Sequence, residues 1–382
     1  MHNRHRVAGG EDQVVERDRQ LLTQRGLQVD QYVVDNPATP LASARALVQA
    51  PWNARAAHAV VAQARRTAPD VVHVHNTWFS LSPSVVTALW RAGFPVVMTL
   101  HNFRTSCINA LLLRDGQPCT LCVGDHPWHG VWHRCYRDSA VLSSLAAAAV
   151  VQPRLAHTWH KAVAAFIALD ESMVPLLAPG GIPSAKIAIR RNWAPDPGPR
   201  RAAPSQGSEV LFVGRLSHEK GVDLLLEAWR RAAPPGLTLA VCGDGPMRAW
   251  AEGQRVPGVS IRGPVDEDVL QQQMLTARAL VFPSVCYEAG PLAPIEAAAA
   301  GLPTIISSRV GFSSRVEEHG AGWSAPAGDV QALAAALSRL GDGAQLDEAG
   351  KAARVMYEQS HSDRASYESL LEVYERVVPA QG

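Results

Sequence analysis

The stretch that decides the fold is Phe282–Pro303, FPSVCYEAGPLAPIEAAAAGLP. It predicts the end of a buried strand, a glycine–proline turn, and a short alanine-rich helix that ends at Gly301. Two carboxylates bracket the turn, since Glu288 follows the strand and Glu296 lies in the first turns of the helix. The first N–H groups of a helix are unpaired and carry partial positive charge, so this turn suits a phosphate. The two carboxylates suit sugar hydroxyls.

Apolar strands that alternate with helices extend from this stretch over the whole chain. Runs such as Val71–His75 and Pro95–Leu100 are each followed by a helix, which predicts a parallel sheet covered on both faces. With 382 residues, two domains are expected. We predict an α/β protein with a first domain over residues 1–193, a Pro- and Gly-rich linker over 194–208, a second domain over 209–361, and a C-terminal crossover helix in 362–382.

The start of the chain departs from this pattern. Gly9 and Gly10 precede a helix expected over Gln13–Gln24, and such a pair can let backbone approach a phosphate, although an ordinary turn would look the same. A loop of this kind normally follows a buried strand, and few residues precede it here. We therefore expect the first sheet to lack its first strand, either because the start site is assigned too late or because neighbouring strands close the gap.

The composition excludes several classes of protein. An apolar content of 47% with 19% charged residues is typical of a soluble globular protein, and a net charge of +1 gives no electrostatic sign of nucleic-acid binding. No apolar run approaches the roughly 20 residues that span a bilayer, and no signal peptide opens the chain, so a cytoplasmic protein is expected. Six cysteines in that compartment indicate thiols or metal ligands rather than disulfides.

Two further motifs precede the opening stretch. Val213–Asp223, VGRLSHEKGVD, places Arg215 and Lys220 on either side of a turn, where the two cations can converge on a diphosphate. A solvated basic turn is the alternative interpretation. Cys242–Pro246, CGDGP, is a second tight turn at the end of a strand.

In this order and spacing, the three motifs resemble those of the retaining glycosyltransferases of family 4. That family has the GT-B fold, in which two Rossmann-like domains face each other across a cleft and a C-terminal helix packs back on the first domain. The matching segments are VGRL…KG, GDGP and the two glutamates of the opening stretch, with looser matches at Gly9-Gly10, DVVHVH and TLHN. The resemblance implies a nucleotide diphosphate sugar donor, UDP-linked, and metal-independent catalysis without a cofactor.

The resemblance also assigns roles to residues. Arg215 and Lys220 would neutralise the diphosphate, Glu288 would hold the donor sugar and Glu296 the ribose, and His101 would face the donor sugar. The catalytic residues are then Arg215, Lys220, Glu288 and His101. The donor-binding residues are Gly10, Gly214, Gly243, Gly263, Val265, Ala289, Gly290, Pro291, Leu292 and Glu296. The acceptor residues are His75, Asn76 and Asn102.

Strand-end polar residues have structural alternatives. His75 and Asn76 could contact an acceptor or simply cap a helix. We expect His73 and His75 to point to opposite faces of their strand, with one of them a satisfied core residue.

A cysteine-rich insert over residues 103–137 is peculiar to this chain. Cys107, Cys119, Cys122 and Cys135 follow the pattern C-x(11)-C-x(2)-C-x(12)-C. Four thiolates with one C-x-x-C pair could hold a structural zinc ion, and unlinked thiols or a redox pair are the alternatives. The insert is expected to overhang the acceptor side of the cleft.

The favoured function is sugar transfer to a lipid-linked saccharide or cell-envelope glycan precursor. A small natural-product acceptor is the second option. A nucleotide-sugar epimerase and a non-catalytic partner subunit are the rival hypotheses. Arg65-Arg66 and the Trp-rich insert are candidates for peripheral contact with the inner face of the cell membrane.

Overall fold

The chain forms two compact units. The computed structural model describes residues 1–4 and 9–378. The first unit comprises Met1–Arg114, Cys119–Arg191 and the chain from Tyr367 on, and the second comprises Asp115–Pro118 and Asn192–Ser366. The boundary thus falls after Arg191, where the sequence analysis places it at 193. No helix within the described ranges is long and apolar enough to cross a bilayer.

The first unit contains a parallel sheet of four short strands. Between residues 1 and 191 the strands are β1 (His2–Arg4), β2 (Val33–Asp35), β3 (Val72–Val74), β4 (Val96–Leu100), β5 (Leu113–Arg114), β6 (Gln117–Pro118), β7 (Ala165–Ala168) and β8 (Ile187–Ile189). Strands β3, β4, β7 and β8 are hydrogen-bonded in that order, and β1 pairs with β2. The helices of the same stretch are α1 (Gly10–Gln24), α2 (Pro40–Val48), α3 (Ala54–Thr67), α4 (Ser84–Arg91), α5 (Trp128–Trp132), α6 (Ala140–Leu155), α7 (Thr158–Lys161) and α8 (Val174–Leu177).

The first strand is present, so the expectation that this sheet lacks it is wrong. Backbone hydrogen bonds of 3.0 Å run from His75 N to Met1 O and from Asn3 N to Asn76 O, which places β1 between β2 and β3. The strand is short and polar rather than long and apolar. Its buried Asn3 side chain is satisfied because its Oδ1 accepts from the backbone N of Ser80 at 2.8 Å.

The second unit is a six-stranded parallel sheet. Its strands are β9 (Glu209–Val213), β10 (Thr238–Cys242), β11 (Val259–Gly263), β12 (Ala279–Phe282), β13 (Thr304–Ser307) and β14 (Gly322–Ala325). Their order is β11-β10-β9-β12-β13-β14, so the chain reverses direction across the sheet between β9 and β12. Val210 and Phe212 join one buried cluster and Leu211 another, because both faces of the sheet are covered.

Helices cover this second sheet. They are α9 (Val222–Ala232), α10 (Arg248–Gly253), α11 (Glu267–Thr276), α12 (Leu292–Ala299), α13 (Phe312–His319), α14 (Val330–Ser338) and α15 (Gly343–Ser360). The expected linker is held to this unit, since the Arg200 guanidinium donates to the carbonyl of Met274 at 2.8 Å. The last helix, α16 (Asp363–Val377), places Leu370 and Val373 in the core of the first unit with Val97 of β4, as expected for the C-terminal helix.

A buried ion pair fixes α1 beside the end of β8. The Arg190 guanidinium donates to both carboxylate oxygens of Asp18, at 2.7 and 2.6 Å. Their side chains are only 0% and 3% exposed, so neither charge can be solvated by water. The pair therefore orients α1, but each partner depends on the other for compensation.

We predict that Asp18→Asn lowers the free energy of unfolding by about 3 to 5 kcal/mol, because it leaves a buried guanidinium without its counter-ion. Urea unfolding followed by circular dichroism measures the change. Asp35→Asn is the matched control, since its ion pair with Arg4 is exposed and worth at most about 1 kcal/mol. Equal, small effects of the two substitutions would contradict the prediction.

Candidate functional site

The strongest constellation of charged groups lies where the second sheet reverses its strand order. The loop after β9 carries Lys220 and the loop after β12 carries Glu288, and β9 and β12 are neighbours. Lys220 Nζ donates to Glu288 Oε1 in a partly buried salt bridge. Burial opposes the charge on Lys220, but the Glu288 carboxylate outweighs it and raises the pKa of the ammonium group. Ligands of open α/β sheets bind at such a reversal, beyond the carboxyl ends of the strands.

One oxygen of the Glu288 carboxylate is committed and the other is open. Ser284 Oγ donates to Oε1 at 2.7 Å, beside Lys220, and Cys286 Sγ lies 3.7 Å from the same atom. Within the described residues Oε2 has no hydrogen-bond partner. Glu288 is therefore held in place through one oxygen and can accept from a ligand hydroxyl through the other.

The two loops are tied to each other. The carbonyl of Glu219 accepts from Ser284 Oγ at 2.9 Å and from Val285 N at 3.0 Å. Gly221 is required beside this junction, because its φ is +70° and a Cβ there would lie 2.3 Å from the carbonyl oxygen of Pro283. The positions of Lys220 and Glu288 are thus fixed by backbone as well as by their own salt bridge.

Helix α12 offers unpaired donors next to this pair. Pro291 is its N-cap residue and has no side chain that could accept a hydrogen bond. In the part of the chain that the structure describes, the N–H groups of Leu292 and Ala293 have no acceptor. Asn192 Nδ2 donates to the carbonyl of Gly290 at 2.7 Å and so holds the preceding turn. An anion fits this helix terminus.

Three of the predicted glycines end neighbouring strands. Gly243 N donates to the carbonyl of Gly263 at 2.7 Å, and Gly214 N donates to the carbonyl of Cys242 at 3.1 Å. A Cβ on Gly243 would lie 1.9 Å from the carbonyl oxygen of Gly214, so only glycine fits there. At these three glycines the backbone is therefore closely packed and free of side chains. Val265 follows Gly263 and is partly buried against the apolar cluster that contains Leu211 and Cys242.

The structure does not bring all predicted donor residues together. Arg215 is exposed and makes no hydrogen bond or ion pair within the described ranges. Glu296 is half-buried inside α12, and Ala289 is buried. Sequence reasoning missed Ser284, Glu219 and Asn192, which orient the site. The only sequence signal for Ser284 is its position four residues before Glu288, just after the strand that ends at Phe282.

In the first unit, three histidines form a row at the end of β3 and β4. His101 Nε2 lies 3.1 Å from His75 Nδ1, and the rings of His75 and His73 stack with centroids 4.2 Å apart. His73 is satisfied by the Tyr374 hydroxyl and by Thr99 Oγ1, each at 2.7 Å. The expectation of opposite faces is wrong, because residues two apart on a strand share a face.

The remaining residues predicted for this half have local partners. Asn76 is buried, with Nδ2 donating to the carbonyl of Asn3 at 3.1 Å and Oδ1 accepting from Trp78 N at 2.7 Å. Asn102 Oδ1 accepts from Arg104 N at 3.0 Å. Gly10 begins α1. The roles of His75, Asn76, His101 and Asn102 toward substrates stay predictions.

The four cysteines of the insert line one cavity of about 20 Å³, together with His129 and His133. All four are free thiols, and Cys107 Sγ donates to Asn109 Oδ1 at 3.0 Å. Among the described residues, no three His, Cys, Asp or Glu side chains stand ready to coordinate a metal. The zinc hypothesis, like the alternatives of plain or redox-active thiols, therefore stays a prediction.

If the four thiols bind structural zinc, purified protein should contain about one zinc per chain, because four thiolates complete a tetrahedral sphere. Cys119→Ser should lose that zinc and lower the unfolding midpoint. Cys242→Ser, which changes a buried cysteine in the core of the second sheet, is the control and should retain the metal. Elemental analysis decides, and metal-free protein of unchanged stability after Cys119→Ser would end the hypothesis.

The histidine row also predicts a pH dependence of stability. Burial lowers the pKa of His73 and His75 well below their ordinary value of 6.5 and lowers that of His101. As the pH falls below about 6.5, the unfolded chain binds protons that the folded chain does not, so stability falls by up to about 1.4 kcal/mol per pH unit for each such histidine.

Thermal or urea unfolding between pH 7.5 and 5.5 measures this slope. His75→Gln should reduce the slope, because a glutamine side chain does not titrate. His58→Gln, at an exposed position on α3, should leave it unchanged. Equal slopes for all three proteins would show that the row does not control acid stability.

Comparisons with known proteins match part of the second unit to one family. Residues 207–342 match the family model Glycosyl transferases group 1. The amylovoran biosynthesis glycosyltransferase AmsK of Erwinia amylovora is 32% identical over 190 residues, which are 46% of this chain and 47% of AmsK. Glycogen synthase of Mycobacterium tuberculosis is 29% identical over 301 residues, 75% of this chain and 64% of the synthase. The chain thus spans between about half and two thirds of these curated relatives.

A solved structure extends the likeness to the whole fold. Anabaena HepE in complex with UDP superimposes with a TM-score of 0.66 and 17% identity, over 98% of each chain. At that identity the likeness concerns the fold alone, which is the GT-B fold expected from the sequence. Residues 207–342 are therefore a glycosyl transferases group 1 domain, within a chain that has the GT-B fold.

Proposed function

We propose that this chain is a retaining glycosyltransferase that moves a sugar from a UDP-linked donor to a glycan acceptor. The observation that carries the proposal is the Lys220–Glu288 salt bridge beside the unpaired N–H groups of α12. A cation and helix N–H groups suit a diphosphate, and a carboxylate oxygen without a partner suits a sugar hydroxyl. The group 1 domain and the UDP bound to HepE support this reading.

The chemistry follows from where charge develops. As the sugar leaves, negative charge grows on the β-phosphate, and Lys220 with the N–H groups of Leu292 and Ala293 would stabilise it. Arg215, exposed and unpaired among the described residues, could turn toward the same phosphates. The leaving phosphate itself would take the proton of the acceptor hydroxyl. Such a mechanism needs no pair of catalytic carboxylates, so Glu288 is assigned to sugar binding.

A saccharide is the acceptor that the relatives favour. AmsK acts in amylovoran biosynthesis by its name, and this supports a lipid-linked saccharide or cell-envelope glycan precursor as the acceptor. Transfer would then take place at the inner face of the cell membrane, with peripheral contact. A small natural-product acceptor remains the second option, and a non-catalytic partner subunit the third.

The donor assignment predicts selective binding of UDP. In a thermal shift assay, UDP should raise the unfolding midpoint more than ADP or GDP does. Arg215→Ala and Lys220→Ala should each weaken UDP binding about tenfold or more, which is a loss of about 1.4 kcal/mol, because each removes one cation from the diphosphate. Glu288→Ala should lower transfer about a hundredfold, since the sugar would lose its anchor.

Arg231→Ala is the matched control. Arg231 lies on α9 and pairs with Glu227 at an exposed position, so UDP binding and transfer should not change. Wild-type UDP affinity in the Arg215 and Lys220 variants would refute the donor site. Donor turnover without any acceptor would favour an epimerase, and UDP binding without transfer to any acceptor would favour the non-catalytic alternative.

A further inference from the structure

The first unit contains a cavity lined by a partly buried cation that the proposed donor site does not use. The cavity measures about 70 Å³ and lies at the ends of β3 and β4. Its lining includes His75, His101 and Asn102 from the strand ends, together with Trp78 and Arg104. None of its lining residues is Asp or Glu. The wall of the cavity therefore carries a positive charge and no negative one.

The Arg104 guanidinium is held in place by contacts with uncharged groups. It stacks over the Trp78 ring with its central carbon 4.3 Å from the ring centroid, and its Nη1 donates to the carbonyl of Ile108 at 2.7 Å. No carboxylate within the described residues forms an ion pair with it. Burial lowers the pKa of this group more than the nearby Tyr136, Cys107 and Glu11 side chains raise it, yet a guanidinium keeps its proton at any physiological pH. Its remaining N–H donors thus have no anionic partner.

A partly buried guanidinium that is held in place and lacks an ion-pair partner is suited to bind an anion. The neighbouring histidines add hydrogen-bond donors to the cavity rather than positive charge. His75 and His101 are kept neutral by burial, and a neutral imidazole can still donate one N–H. The cavity therefore offers one cation, several hydrogen-bond donors and an aromatic wall.

We propose that this cavity binds a phosphoryl group of the acceptor, with the guanidinium fork of Arg104 as its principal ligand. A planar fork binds two oxygens of one phosphate at once, and the Trp78 ring holds the plane of that fork in place. That the phosphate belongs to an acceptor rests on the proposed function; that the cavity binds a phosphate does not. The source could be a lipid-linked diphosphate or a soluble sugar phosphate.

The test separates this cavity from the donor site. Calorimetric titration with inorganic pyrophosphate at constant ionic strength is made on Lys220→Ala protein, in which the donor site is weakened. Adding Arg104→Met to that background should weaken pyrophosphate binding at least tenfold, and Arg104→Lys should weaken it less, because the charge remains and the fork is lost. Arg91→Met, an exposed arginine of the same unit, should have no effect.

Circular dichroism and the unfolding midpoint establish that each variant is folded. If Arg104→Met does not fold, Arg104→Lys carries the test alone. Pyrophosphate binding that is indifferent to both Arg104 variants would overturn the proposal, and so would binding that Lys220→Ala alone abolishes. If UDP binding or transfer fails while Arg104-dependent binding persists, the proposed function fails and the phosphate site stands.

A second titration identifies the source. Geranyl diphosphate and inorganic pyrophosphate are compared on the same protein. Tighter binding of the prenyl compound, lost with Arg104→Met, would assign the phosphate to a lipid-linked acceptor. Equal binding, also lost with Arg104→Met, would assign it to a soluble phosphorylated saccharide.

Discussion

The salt bridge between Lys220 and Glu288 is the contact on which the candidate donor site depends. It joins the loops of the two strands between which the sheet reverses its order, so it lies where an open parallel sheet leaves room for a ligand. Burial alone would favour a neutral lysine, and the carboxylate keeps it charged. The two opposite charges thus maintain each other at the ends of the strands, in an arrangement suited to a ligand that carries both phosphates and hydroxyls.

The cations of the two units differ in the partners that compensate their charge. In the second unit the cation has a carboxylate partner and the helix N–H groups do not. In the first unit the Arg190 cation forms a bidentate ion pair with Asp18, whereas Arg104 stacks on an aromatic ring and has no ion-pair partner among the described residues. The ion pair with Asp18 explains the structural role of Arg190. Arg104 has no such partner, and this contrast within one unit supports the phosphate proposal.

The fold was largely predictable because its strands are buried on both faces and read as apolar runs. The predicted runs Val71–His75 and Pro95–Leu100 contain the strands Val72–Val74 and Val96–Leu100. His2–Arg4 was missed because its letters are polar and its partners lie far along the chain. Gly322–Ala325 was missed because a glycine, a tryptophan and a serine give no apolar run. Local pattern cannot reveal strands that backbone pairing alone defines.

The site was predictable only in part, for a related reason. The order of the motifs placed Lys220 and Glu288 in one predicted site, but their spacing could not show that the two side chains are in contact.

The shared carbonyl of Glu219, which accepts from Ser284 and Val285, has a practical consequence for protein engineering. Residues 214–221 and 283–288 form one interlocked module, so a chimera that exchanges one segment with a relative must exchange the other at the same time.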